Sequence, residues 1–172
     1  MIEAKRPVKL IDNDEYQLVT VKRRNEGIMP RGIYKGKEIL VKNYYKVWAG
    51  DYLISKRQVV HGANGIVPKS LDKSIVSNEY IAFSDNENIS VGFLSLLSER
   101  PEMYKLFFLS SYGVDIEKLV FDVADWKKRK IVIPKKNEQR KICALFDSIT
   151  NLITLHQREP CDLDDYSEVK RC

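Results

Sequence analysis

The residues best placed by type and spacing to do chemistry are cationic. Lys22-Arg23-Arg24-Asn25 follows a β-branched run, Arg31 follows Pro30, and Lys56-Arg57-Gln58 leads out of a second such run into His61-Gly62-Ala63-Asn64-Gly65. Loops of this composition can enter the groove of a duplex. Arg bonds a guanine edge through two donors, Asn and Gln do the same for adenine, and Lys neutralises phosphate. Lys22, Arg23, Arg24, Arg31, Lys56, Arg57, His61 and Asn64 are therefore the candidate contact residues. The competing reading of each is a polar loop residue with no ligand. Tyr44, Tyr45 and Trp48 are expected to pack, and no platform of exposed aromatics on adjacent strands is evident, which argues against a single-strand RNA reader.

Catalytic chemistry is poorly supplied. His61 and His156 are the only histidines, and no nucleophile elbow, P-loop, H-E-x-x-H or paired-cysteine pattern accompanies them. His61 beside Gly62 reads as a loop residue, and His156 as part of a helix face. A metal-dependent nuclease needs clustered carboxylates to hold a hard cation. The nearest imitation, Asp162 followed by Glu168-Val169-Lys170, sits in a polar tail. Cys143, Cys161 and Cys172 are odd in number and lack metal-ligand spacing, so neither a disulfide framework nor a zinc site is expected. No cofactor is implied, and a reducing cytoplasm fits best.

Those clusters must be positioned by an ordinary globular chain. Its 172 residues fit one domain with or without an appendage, able to bury roughly 70% of the unfolded surface. The composition, 44% hydrophobic and 31% charged with 8 Gly and 6 Pro, excludes collagen-like and wholly disordered classes. No apolar run approaches the roughly 20 residues that span a bilayer, and the N-terminus has no apolar leader, so neither export nor membrane insertion is expected. The net charge of +5 is unevenly spread. Between Tyr16 and Lys73 twelve Lys and Arg face four acids, a net of +8, whereas Glu159 to Cys172 holds five acids against two cations, a net of −3. A basic first half followed by an acidic end points to a polyanion-binding region and a segment that avoids nucleic acid or meets a protein.

The first half reads as β-rich. Tyr16 to Val21, Glu38 to Lys42, Asp51 to Ser55 and Glu79 to Phe83 are short and rich in β-branched or aromatic residues, with Gly and Asn-Gly turn chemistry between them. From Ile89 to Ser111 the period becomes helical, and Pro101 divides two short helices. Ile131-Val132-Ile133 is predicted as a strand stopped by Pro134. Asn137 is predicted to cap a helix from about Glu138 to Arg158, about 31 Å long at 1.5 Å per residue, because Pro160 disfavours the α conformation at Glu159. Ile142, Leu145, Phe146, Ile149, Leu152, Ile153 and His156 fall on one face of it at heptad spacing. Ile142, Leu145, Ile149, Leu152 and Ile153 are the candidate helix-pairing residues. The fold class expected is α+β, with a small mixed β-sheet, short helices and a C-terminal amphipathic helix.

The succession EYQLVTVKRRNEGIMPRG (Glu15 to Gly32), AGDYLISKR (Ala49 to Arg57), HGANGIVPKSL (His61 to Leu71) and IVSNEYIAF (Ile75 to Phe83) resembles a target recognition domain. The family is the DNA specificity (S) subunit of type I restriction-modification systems. The ending IVIPKKNEQRKICALFDSITNLITLHQR (Ile131 to Arg158) is similar to the strand, proline, Glu-Gln pair and helix that close such a domain, and the resemblance covers about Lys9 to Arg158.

The resemblance implies a non-catalytic reader of double-stranded DNA. In that family each recognition domain reads half of a split target, and long helices set the spacing and dock methyltransferase (M) subunits. Restriction (R) subunits join for cleavage. Methylation of adenine from S-adenosylmethionine and ATP-driven cutting belong to those partners. Residues 1–137 would be the recognition domain, 138–158 the spacer and dimerisation helix, and 159–172 an acidic flexible tail. The family's usual subunit carries two recognition domains and two helices, whereas this chain holds one of each and resembles half a subunit, which would dimerise through the helix, complement a second S subunit, or be a truncated product that no longer assembles. The alternative is an interaction protein that binds M or S subunits without reading DNA.

Overall fold

The computed structural model describes residues 1–41 and 43–158. Sheet A runs in the order β1 (Ile2–Glu3), β9 (Tyr80–Ser84), β6 (Tyr52–Ser55), β7 (Asn64–Ile66), all antiparallel. Sheet B runs β2 (Pro7–Val8), β5 (Tyr44–Lys46), β8 (Ile75–Ser77), β3 (Glu15–Val21), β4 (Ile28–Lys35), with the β3–β8 pair parallel and the others antiparallel. A short ribbon joins β10 (Ser111–Tyr112) to β11 (Val120–Phe121). Among the described residues four α-helices follow or flank these strands: α1 (Val91–Ser98), α2 (Pro101–Leu109), α3 (Val123–Trp126) and α4 (Lys136–Arg158). The architecture is the expected α+β, with two sheets and a ribbon where one small sheet was anticipated.

Sheet A is the middle layer, and the two-residue period of its strands divides the core. Tyr52, Ile54, Ile81 and Phe83 point to α1 and α2, where they meet Phe93, Leu94, Met103 and Phe107. Leu53 and Ala82 point the other way and meet Val19, Val21, Ile28, Val47 and Val76 of the sheet B side. Because both faces are covered, every residue of β6 is buried. The far side of sheet B is closed by Ile39 against Leu18, Tyr44 and Ile75.

Two expected strands are absent. Residues 38–41 form no strand: Gly36–Glu38 is a 3-10 turn, Ile39 tucks under sheet B, and Leu40 is exposed. The capture point is Gly36, whose N–H donates to the Asp14 carbonyl and where a Cβ would lie 2.1 Å from the Ile11 carbonyl oxygen. Lys42, the last residue of that expected strand, lies outside the described residues. Ile131-Val132-Ile133 is irregular, with Ile133 turned to the core and Val132 to solvent, and among the described residues no strand pairs with it.

Helix α4 begins at Lys136, so Asn137 lies inside its first turn and does not cap it. The Lys135 N–H instead donates to Glu138 Oε2 at 2.9 Å, the back-bonding half of a capping box. Of the expected apolar stripe, Ile142 packs against the body, beside Cys143, which the stripe did not include. Leu145, Phe146, Ile149, Leu152 and Ile153 are exposed. The expected tail, residues 159–172, lies outside the described residues, as do Asp162 and Glu168.

Candidate nucleic-acid interface

The β3–β4 hairpin carries the first basic cluster at its tip. Arg24 and Asn25 take the left-handed conformation at φ 58° and 57°, the backbone of a tight hairpin turn that closes with Lys22 N–H donating to the Gly27 carbonyl at 2.9 Å. Two consecutive non-glycine residues at positive φ are costly and need support. It comes from the second basic cluster: the N–H groups of Arg24 and Asn25 donate to the carbonyls of His61 and Gly62 at 2.7 and 2.9 Å. Gly62 is required here, since its φ is 72° and a Cβ would sit 3.0 Å from Asn25 Oδ1. Clusters separated by over thirty residues in sequence thus form one unit.

Arg31 is presented differently. Leu18 pairs with Gly32 and Val19 with Pro30, so Arg31 is the extra residue of a β-bulge on the edge strand β4. Bulges re-aim a side chain, and Gly32 at φ 144° makes this one possible. Arg31 and Lys22 are exposed.

The remaining candidates are partly engaged within the protein. Arg57 Nε bonds Glu79 Oε2 at 2.5 Å across the surface. Lys56 is half-buried, its Nζ donating to the Asn78 carbonyl at 2.6 Å. Arg23 Nη2 lies 3.0 Å from Glu117 Oε2, and His61 Nε2 lies 3.5 Å from the other oxygen of the same carboxylate. A cleft of about 510 Å³ opens between the hairpin tip and α2, lined by Arg23, Arg24, Asn25, His61, Glu99 and Glu117 among others.

Asn64 corrects the sequence reading. It is not a loop residue but the first residue of β7, 3% exposed, with Oδ1 accepting from the Tyr52 hydroxyl at 2.8 Å. That hydroxyl also approaches Ser98 Oγ at 2.5 Å, and burial pushes its pKa well above the ordinary phenol range. An amide enclosed in this way cannot meet a base edge. Asn64→Ala should therefore destabilise the fold by about 1–3 kcal/mol, the cost of breaking a buried hydrogen bond, while leaving sequence discrimination unchanged; denaturant unfolding and competition binding measure the two. Trp48 also departs from its expected packing role: it is half-exposed, with the Arg6 guanidinium 4.2 Å above its ring. Tyr44 is buried as expected.

Glu117 and Gln139 are the site and scaffold residues that the sequence reading missed. Glu117 stands 94 positions from the arginine it meets, and no local signal joins them. Among the described residues no group of His, Cys, Asp and Glu side chains could hold a metal ion, and no helix is long and apolar enough to cross a membrane.

Comparison with known proteins places this arrangement. The HsdS subunit from Thermoanaerobacter tengcongensis superposes with a TM-score of 0.67 at 16% identity, covering 90% of this chain and 42% of that one. A chain from a structure concerned with complex assembly and conformational transition of the type I R-M system gives 0.65 at 17% identity, covering 86% of this chain and 38% of that one. These likenesses establish the fold, and the protein spans under half the length of either chain. Among curated proteins none matches. The family model for the type I restriction modification DNA specificity domain matches residues 2–164, nearly the whole sequence, and on that match the chain belongs to the type I restriction-modification DNA specificity domain family.

Proposed function

We propose that this chain reads duplex DNA as the specificity component, or half-component, of a type I restriction-modification complex, without catalysing a reaction itself. The observation that carries the reading is the convergence of the Lys22-Arg23-Arg24 tip with the His61 turn, in a member of a DNA-specificity family. The backbone of the tip is held by the His61 turn, so the loop itself meets a groove without first being ordered. Arg31 on its bulge is a second reader, and Lys22 a phosphate contact. Methylation of adenine and restriction belong to M and R partner subunits, which α4 helps to dock. Residues 1–137 form the recognition unit in this proposal, and 138–158 the spacer.

Titration of the full chain, alone and with M subunit, against labelled duplexes tests it. The logarithm of affinity should fall linearly with the logarithm of salt, with a slope near −0.9 per phosphate contact. Lys22→Ala should weaken all sequences alike and flatten the slope by about 0.9, whereas Arg31→Ala should relax discrimination by roughly 1–3 kcal/mol. A salt-independent affinity, or no duplex binding even with M subunit, refutes DNA reading and leaves the chain as an interaction protein.

A further inference from the structure

One cation of the tip, Arg23, does not face solvent with its charge free. Glu117, on the 3-10 turn Ile116–Lys118, sets one carboxylate oxygen 3.0 Å from Arg23 Nη2 and the other 3.5 Å from His61 Nε2. The N–H groups of Arg24 and Asn25 are not open to an incoming anion, because they are already committed to the carbonyls of His61 and Gly62. The Arg23 and His61 side chains are the groups placed to hold one at this corner. A phosphodiester also presents two oxygens on one centre, in the manner of a carboxylate, and pairs strongly with guanidinium.

The geometry points to Glu117 as an internal competitor for DNA phosphate: its carboxylate occupies, in the free protein, the position between Arg23 and His61 that a backbone phosphate takes in the complex. This deepens the DNA-reading function and rests on it. The exchange is feasible because Arg23 and Glu117 are both about half exposed, and such surface pairs are weak enough for a phosphate to displace. The consequence is a ceiling on sequence-independent affinity. While Glu117 stays in place Arg23 adds little to phosphate attraction, so a chance encounter with duplex is held loosely. The simpler role, a clip that orders the hairpin tip for binding, predicts the opposite sign.

The test uses the full chain with a duplex of random sequence across a salt series. Glu117→Gln keeps the size of the side chain and removes its charge. Affinity should rise about threefold to tenfold, and the log-log salt slope should steepen by about 0.9, one more phosphate neutralised. Arg23→Ala should weaken binding by less in the unaltered chain than in the Glu117→Gln background, where it should abolish the gain. Far-ultraviolet circular dichroism confirms that each variant is folded. If the unaltered chain binds with a salt-dependent affinity and Glu117→Gln binds equally or more weakly, the competitor role is overturned and DNA reading stands. If neither protein binds duplex, both fall together.

Discussion

The full chain carrying Ile149→Asp and Leu152→Asp is expected to sediment as a monomer at tens of micromolar, and the unaltered chain is expected to sediment there as a dimer. Both side chains stand on the part of α4 beyond its contact with the body and are 44% and 57% exposed. Their neighbours Leu145, Phe146 and Ile153 are exposed too, which leaves an apolar seam from Leu145 to Ile153, a little over one heptad, without a partner among the described residues. Burying a Leu or Ile is worth about 1.5–3 kcal/mol. Two substitutions in each of two helices remove about 6 kcal/mol or more, at least four decades in the dissociation constant, before the cost of burying carboxylates is added. The fold should survive, since neither side chain belongs to the core. Ile142 behaves differently: it is half-buried against the body, so Ile142→Asp should destabilise the fold itself. An unaltered chain that is already monomeric excludes self-pairing and assigns the seam to an M or second S subunit. A pair of identical helices would instead place two basic tips about a twofold axis and favour an inverted two-part target.

The sequence was most legible where side chains had to satisfy a local rule. Tyr52–Ser55 and Tyr80–Ser84 are β-branched and aromatic because they cross the middle of sheet A, and Pro101 opens α2 because its missing N–H costs nothing at a helix start. The longest hidden strand was β4, whose Pro30 and Gly32 are strand breakers by composition. Its position at the sheet edge tolerates the proline, and its bulge uses the glycine. Asn64-Gly65 misled in the opposite direction. It has the composition of a hairpin turn, yet it lies in β7, where a Cβ at Gly65 would be 3.3 Å from Gly27 Cα. The same limit governed the site. The basic runs were readable as loops, but the pairing of the hairpin tip with the His61 turn and with Glu117 depends on contacts across 37 to 94 positions, and those leave no periodic trace.

Gln139 shows how such a contact acts on function at a distance. It lies in the first turn of α4, is completely buried, and ties three segments together. Its Nε2 donates to the carbonyls of Asn88 and Pro134 at 2.7 and 2.9 Å, and its Oε1 accepts from the Ser90 N–H at 3.0 Å. Ser90 in turn caps α1 by accepting from the Phe93 N–H, so one amide fixes the root of the projecting helix to the helical layer of the body. Gln139→Ala should cost about 2 kcal/mol, since the partners it abandons are only partly buried and water can reach them. Gln139→Glu separates this account from a simple packing defect. A carboxylate there would still accept from Ser90 but would face two carbonyl oxygens that offer it no proton. Burial and those acceptors both favour the protonated form, so its folded pKa is raised above the unfolded Glu value of about 4.3. Stability lost to the substitution should therefore be small below pH 4, where the acid donates to a carbonyl, and should grow as pH rises through the raised folded pKa. Melting Gln139→Glu and the unaltered chain side by side at pH 4 and pH 7 reads the difference directly. A deficit equal at both pH values would mean that Gln139 fills space at the root of α4 and does not hold it by hydrogen bonds.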